Sequence, residues 1–216
     1  MNVTAKLQKL LTVFGAVAAS AAMAGCGGDF ARDAKAPARL VIVALEGASG
    51  AEPEELSTVV HSDVLTLVTT GGVCTTTNPC PTIFTDLGRV QLRLQLRDLG
   101  NPAAPSSPSA LNAVTITRYH VQYVRSDGRN GQGVDIPYEF DGAATFTVPS
   151  DGSATAFFNL VRTQAKREAP LAPLVNNDTV ITTIANVTFY GRDLAGNEVS
   201  VTGSIDVTFA NWGDPS

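Results

Sequence analysis

Two histidines, His61 and His120, are the side chains of this 216-residue sequence best suited to acid–base chemistry near neutral pH. Either could activate a serine nucleophile if the fold placed a serine and a carboxylate beside it. The sequence contains no Gly-x-Ser-x-Gly elbow, and His120 lies in Arg118-Tyr119-His120-Val121, between an aromatic and an apolar residue as in a β-strand. We therefore predict a strand histidine rather than a catalytic base, and no enzymatic activity.

Oxygen-bearing side chains gather in one glycine-rich segment, at Asp127, Asn130 and Asp135. Calcium is the metal that such oxygen ligands favour. However, Arg129 stands where the EF-hand pattern places its third acid, and Tyr138 stands where that pattern places its bidentate Glu. The three residues are weak calcium candidates, and a plain hairpin loop is the favoured alternative. No other metal site and no cofactor is predicted.

The N-terminal segment has the layout of a signal peptide. Lys6 and Lys9 form a short positive region, and an apolar run of about 15 residues follows at positions 10–24. This run is shorter than the roughly 20 residues that a permanent membrane-spanning helix needs. We expect residues 1–25 to direct export and to be removed.

The segment ends in Met23-Ala24-Gly25-Cys26, which resembles the lipobox of bacterial lipoproteins, although Met23 stands where that family usually has a branched aliphatic residue. The resemblance implies that Cys26 becomes the acylated first residue of the mature chain. It also implies a membrane anchor in the bacterial cell envelope, with the outer membrane favoured and the exposed face left open. The alternative is an ordinary signal peptide followed by a chance cysteine.

With Cys26 assigned to lipid, an even pair of cysteines remains. Cys74 and Cys80 bracket Thr75-Thr76-Thr77-Asn78-Pro79, and a pair of cysteines in an exported protein predicts a disulfide. So short a loop loses little entropy on closure, so the bond should fix a loop tip rather than join distant parts of the fold. A redox or metal-binding pair is the alternative.

Beyond the leader, alternating apolar and polar residues indicate β-strands. The pattern is clearest at residues 89–98, where Val90, Leu92, Leu94 and Leu96 alternate with arginine and glutamine. Eight strands are predicted, at residues 40–45, 64–69, 89–98, 114–124, 144–148, 154–161, 180–190 and 199–209. Turn-forming clusters of Gly, Pro, Asn and Asp separate them. The predicted fold is an all-β antiparallel sandwich, with a short helix or an extended crossover at residues 160–168.

The predicted organisation is a signal peptide at residues 1–25, a flexible Gly-, Ala- and Pro-containing tether at residues 26–38, and a sandwich at residues 39–216. Residues 101–109 hold three prolines and three serines and form a candidate internal linker. They either join two subdomains or form a long loop of one sandwich, and the single sandwich is favoured.

The segment from Val187 to Val201 contains Tyr190-Gly191-Arg192-Asp193-Leu194-Ala195-Gly196-Asn197 followed by an alternating strand. It resembles the last hairpin of bacterial immunoglobulin-like and fibronectin type III-like domains. The resemblance implies that Asp193 and Asn197 hold the turn, that Gly196 takes a positive φ, and that the sandwich is of this type. It implies nothing specific about function.

The formal net charge of −5 becomes −7 if the leader is removed, because two lysines and no acidic residue leave with it. An acidic domain without a basic patch predicts no binding to nucleic acid. Tyr119 and Tyr123 share a face with Val121 and are expected in the core, whereas Trp212 is expected to be partly exposed or to close one end of the sandwich. The expected partners are a membrane, through the N-terminal lipid, and an envelope protein or glycan.

The expected role is that of a non-enzymatic interaction or structural module. The alternatives are an accessory subunit of an envelope assembly, such as a secretion, pilus or transport machine, and a hydrolase that depends on His61 or His120.

Overall fold

The computed structural model describes residues 36–213. The predicted signal peptide, Cys26 and most of the predicted tether lie outside the described residues. The described part includes the last three residues of that tether, and there Ala36 is buried in the core while the Pro37 carbonyl accepts a hydrogen bond from the Arg97 N–H. Packing of the sandwich therefore begins before the first residue of the first strand.

Twelve strands account for most of the described chain, because its alternating Val, Thr and Leu residues suit a half-buried sheet. They are β1 Ala38–Ala48, β2 Val59–Asp63, β3 Thr66–Val68, β4 Cys80–Thr82, β5 Asp86–Leu96, β6 Gly100–Asn101, β7 Ala104–Pro105, β8 Val114–Val124, β9 Phe140–Val148, β10 Ser153–Val161, β11 Ile181–Asp193 and β12 Glu198–Ala210. A short helix, α1, spans Thr163–Arg167, and two 3₁₀ turns span Ala110–Asn112 and Ala172–Asn176.

Eight strands form two facing sheets. One has the order β1-β5-β10 and the other the order β2-β12-β11-β8-β9. Every pairing in them is antiparallel except that of β2 with β12, which is parallel. In chain order, the smaller sheet corresponds to strands A, B and E of an immunoglobulin-type sandwich, and β12, β11, β8 and β9 correspond to G, F, C and C′. The predicted all-β sandwich is confirmed.

Aromatic side chains from both sheets fill the core. The Phe158 ring of β10 lies edge-on to the Phe189 ring of β11 and to the Tyr119 ring of β8, with centroids 5.3 and 5.2 Å apart. The Tyr119 hydroxyl accepts a hydrogen bond from the Asn159 N–H, and the Tyr123 hydroxyl donates one to the Leu160 carbonyl. The two tyrosines thus belong to the core, as predicted, and tie β8 to β10.

Strands that precede residues 101–109 in the sequence pair with strands that follow them, in both sheets. β5 precedes this segment and pairs with β10, which follows it, and β2 pairs with β12 in the same way. The segment itself carries the small β6–β7 ribbon on the surface. Its prolines therefore lie in a connection between strands that belong to one pair of sheets.

The turn after β11 has the predicted geometry. Gly196 has a φ of +86°, a conformation that costs glycine little. The Asp193 carboxylate accepts hydrogen bonds from the backbone N–H and the side-chain amide of Asn197, each at 2.8 Å. Asp193 and Asn197 therefore hold this turn as the sequence resemblance implied.

The strands differ from the prediction between β1 and β5. A single strand was predicted at residues 64–69, but β2 ends at Asp63 and β3 covers only Thr66–Val68, because the chain leaves the large sheet between them. The loop after β1 forms a series of hydrogen-bonded turns at residues 49–56. Of the two alternatives predicted for residues 160–168, the short helix is present, as α1.

Candidate functional site

A cleft of about 370 Å³ opens at one end of the sandwich. Its walls are the loop that follows β1, the strand β2 and the segment that follows β12. The side chains that give it chemical character are Glu52 and Glu55 from the loop, His61 and Asp63 from β2, and Trp212 from the C-terminal segment. These residues come from three separate stretches of sequence, so the fold alone assembles them.

Asp63 holds Trp212 in the cleft. One oxygen of its carboxylate accepts a hydrogen bond from the Trp212 backbone N–H at 3.0 Å, and the other accepts one from the Thr66 hydroxyl at 2.5 Å. The indole is partly buried, and the imidazole of His61 lies against it with ring centroids 4.8 Å apart and planes at 78°. The result is an aromatic pair fixed by a carboxylate that is itself almost fully buried.

The loop over the cleft, residues 49–57, is fixed at both ends. Gly47 and Ser57 exchange two backbone hydrogen bonds of 2.8 Å, which close the loop at its base. The Gly50 N–H donates to a carboxylate oxygen of Asp86 at 2.8 Å. Gly50 lies so close to its neighbours that a Cβ atom there would stand 2.4 Å from the Thr85 carbonyl oxygen. The backbone path of the loop therefore requires glycine at this position.

A buried ion pair lies beneath the loop. The Lys166 Nζ atom of α1 donates to the same Asp86 oxygen at 2.7 Å, and the Ser62 hydroxyl of β2 donates to the other oxygen at 2.5 Å. Lys166 and Asp86 are both fully buried. Burial raises the pKa of Asp86, and the opposing effects of Lys166, Ser62 and Gly50 favour the carboxylate. One carboxylate thus joins the loop, β2 and α1.

The open face of the cleft is acidic. Glu52 and Glu55 are exposed, and within residues 36–213 neither takes part in an ion pair. The described residues that line the cleft include no lysine or arginine. The cleft therefore combines two unneutralised carboxylates with an aromatic surface.

The predicted disulfide between Cys74 and Cys80 is present. It lies within the small β3–β4 ribbon, which leaves the body after β2 and returns before β5. Val73, beside the first cysteine, is exposed. As expected, the bond fixes a loop tip and makes no connection across the two sheets.

The side-chain oxygens of the three calcium candidates are each engaged in local hydrogen bonds. Asp127 bonds to the guanidinium groups of Arg125 and Arg129, and the hydrogen bond from Arg125 holds the pKa of Asp127 well below its usual range. Asn130 accepts from the Arg125 N–H, and Asp135 accepts from the Gly131 N–H. Across residues 36–213, no group of three or more histidine, cysteine, aspartate or glutamate residues is placed to hold a metal ion.

The two histidines have different surroundings. His120 lies on the outer face of the large sheet, 3.6 Å from a carboxylate oxygen of Glu139 and 3.3 Å from one of Asp141. His61 packs on Trp212, and the hydroxyl of its neighbour Ser62 is directed to Asp86. In the part of the chain that the structure describes, neither imidazole bonds to a serine hydroxyl.

Sequence reasoning named His61 and Trp212 but did not join them, and it missed Glu52, Glu55, Asp63 and the pair of Asp86 with Lys166. The only sequence signal for the cleft was an acidic run, Glu52-Pro53-Glu54-Glu55, beside a turn.

Comparison with known proteins adds no assignment, since the chain matches no protein-family model and no curated protein is significantly similar to it. Within residues 36–213, no helix is long and apolar enough to cross a membrane.

Proposed function

We propose that this protein is a lipid-anchored module of the bacterial cell envelope that acts by binding a partner and not by catalysis. The observation that carries the proposal is the position of the cleft relative to the start of the domain. Ala38 begins β1 opposite Leu96, the last residue of β5, whereas the cleft follows the other end of β1. Attachment and binding would then occupy opposite ends of the sandwich.

The distance between these ends is set by β1. Its 11 residues rise by about 3.3 Å each, so the strand carries the chain about 33 Å from Ala38 to the cleft. A lipid on Cys26 would hold the first end toward the membrane through the predicted tether, and the cleft would face away from it. This orientation supports a role in contact with other envelope components.

The surroundings of the histidines support a role without catalysis. His61 packs against an indole and His120 lies beside two carboxylates, and within residues 36–213 neither imidazole bonds to the hydroxyl of a serine that it could activate. The acids in the cleft also differ in role, because the Asp63 carboxylate accepts a hydrogen bond from the Trp212 N–H while Glu52 and Glu55 are exposed to solvent. Such an arrangement suits recognition more than bond cleavage.

The lipid anchor is tested by metabolic labelling with an alkyne-bearing fatty acid in the source bacterium. We expect label on the wild-type chain and none on the Cys26→Ser variant. The matched control is the Cys74→Ser/Cys80→Ser double variant, which retains Cys26 and should be labelled like the wild type. Label that persists on the Cys26→Ser variant would overturn the anchor.

The location of the module is tested by protease treatment of intact and lysed cells, with a periplasmic protein as the internal control. Loss of the domain from intact cells would place the module at the cell surface, with partners outside the cell. Protection until lysis would place it in the periplasm. Co-purification with one large complex would then favour an accessory subunit of an envelope assembly over a free-standing module.

A further inference from the structure

We infer that the cleft formed by residues 49–57, β2 and Trp212 binds a lysine or arginine side chain of a protein partner. This inference rests on the proposed function only in that a binding module needs a ligand. It identifies the chemical class of that ligand. The charge, the aromatic surface and the shape of the cleft each favour a cationic side chain.

Charge selects a cation. Glu52 and Glu55 face the cleft without an ion pair in the described residues, and Asp63 adds a third carboxylate near its floor. No lysine or arginine among the described lining residues offsets them. Because field lines concentrate in a concave site lined by one sign of charge, the cleft attracts positive groups and repels carboxylates and phosphates.

The indole supplies a second, independent contact. A lysine ammonium or arginine guanidinium is attracted to the face of a tryptophan ring, more strongly where the site is partly desolvated. Trp212 is partly buried, Asp63 holds its backbone N–H and the His61 ring packs against one part of its indole, so little ordering remains when a ligand binds beside them. Carboxylates and an aromatic face in one cleft are thus complementary to a cationic side chain.

The cleft is also preformed and of suitable size. Its volume of about 370 Å³ lies at the lower end of the range of roughly 300–1,000 Å³ for ligand pockets. The loop over it is closed by the Gly47–Ser57 pair and fixed at Gly50 by Asp86. One long side chain and its flanking backbone fill such a space, whereas a folded domain would have to meet it with a projecting residue.

The sequence provides its own reporter for the test. Trp212 is the only tryptophan in the 216 residues, so tryptophan fluorescence of the full-length protein in a non-ionic detergent reports on this cleft alone. The probe is a tetralysine peptide, and the comparison probes are a tetraglutamate peptide and a neutral chito-oligosaccharide. We expect a saturable change with tetralysine, weakened by added salt, and none with the other two.

Three single variants separate specific contact from general attraction. Glu52→Gln and Glu55→Gln each remove a carboxylate from the cleft, and we expect each to weaken tetralysine binding about threefold or more. Glu54→Gln makes the same change in the same loop at an exposed residue outside the cleft lining, and its effect should stay below about 1.5-fold. All three residues are exposed and glutamine has nearly the same shape as glutamate, so we expect the three variants to keep the fold.

Three results would overturn the inference. The first is no saturable response to tetralysine, and the second is equal weakening by all three variants, which would indicate diffuse attraction to an acidic surface. The third is a response to the oligosaccharide in place of tetralysine, which would make the cleft a glycan site. Fatty-acid labelling of Cys26 is unaffected by any of these results, so the anchor and the ligand class fail separately.

Discussion

The Nζ atom of Lys166 lies 2.7 Å from a carboxylate oxygen of Asp86, and both side chains are excluded from solvent although 80 positions separate them in the sequence. Isolated charges are costly to bury, so the burial of each charged side chain depends on the opposite charge of the other. Because Asp86 also accepts hydrogen bonds from Ser62 and Gly50, the pair fixes the geometry beneath the cleft as well as satisfying its own charges.

Removal of the lysine should be strongly destabilising. Lys166→Met leaves the Asp86 charge buried without its cation, and we expect the free energy of unfolding in urea to fall by about 3–5 kcal/mol. Arg167→Met, at the exposed next residue of α1, is the matched control and should change stability by less than about 0.5 kcal/mol. Equal, small losses in both variants would show that the pair contributes little.

The loss in Lys166→Met should depend on pH. Burial raises the pKa of Asp86, and without Lys166 the opposing effect of the cation is gone. A carboxyl group whose folded pKa exceeds its unfolded value takes up a proton on folding, so its contribution is complete below about pH 4 and is lost as the pH rises through the folded pKa. Urea denaturation should therefore show the largest deficit at neutral pH and a smaller one toward pH 4. The Lys166→Met/Asp86→Asn double variant has no carboxyl group at this position, so its stability should not show the loss between pH 4 and neutral pH that Lys166→Met shows.

The loop over the cleft should not tolerate a side chain at Gly50. A Cβ atom there would lie 2.4 Å from the Thr85 carbonyl oxygen and 2.4 Å from the Phe84 Cβ atom, so the backbone has to move. We expect Gly50→Ala to cost about 1–3 kcal/mol in urea denaturation and to shift the fluorescence of Trp212. Gly213→Ala, where no neighbouring atom lies within 4 Å, should leave stability unchanged. Wild-type stability and fluorescence in Gly50→Ala would contradict the tight fit.

The disulfide should contribute only modestly to the free energy of unfolding. Cys74→Ser/Cys80→Ser frees a short surface ribbon, and we expect a loss of about 2 kcal/mol or less. For a domain of this size the melting temperature falls by roughly 4–8 °C, with the β-sheet circular dichroism signal retained at room temperature. Loss of that signal in the variant would mean that the bond supports the sandwich itself.

Calcium should not stabilise the protein. The Asp127 carboxylate bonds to two arginines, and the Asn130 and Asp135 oxygens bond to backbone N–H groups. A cation would have to displace these partners, so millimolar calcium should leave the melting temperature unchanged. A rise with calcium that disappears in Asp127→Asn would restore this loop as a metal site.

Local patterns in the sequence predicted local structure well. The alternation at residues 114–124 matches β8 at both ends, the Asp193–Asn197 turn has the expected hydrogen bonds, and two nearby cysteines form the expected bond. Each of these features depends on residues close together in the chain, where spacing is sufficient evidence.

Features that depend on distant residues could not be predicted in this way. Lys166 lies in a charged run that is typical of an exposed helix end, and only its contact with Asp86, at the start of β5, accounts for its burial. β2 has five residues, among them a histidine, a serine and an aspartate, and too little alternation to identify it. The cleft itself brings together residues 52 and 212, whose proximity no local pattern encodes.

The parallel pairing of β2 with β12 also constrains the order in which the strands can pair during folding. Val59–Asp63 lie beside Asp206–Ala210, the last five residues of β12, and the Asp63 carboxylate accepts a hydrogen bond from the N–H of Trp212, 149 residues later. In a polypeptide synthesised from its N-terminus, β2 lacks this neighbour until Ala210 has been added. The five-stranded sheet, and the cleft at its end, therefore cannot be completed before residues 206–212 are in place, however early the other strands have paired.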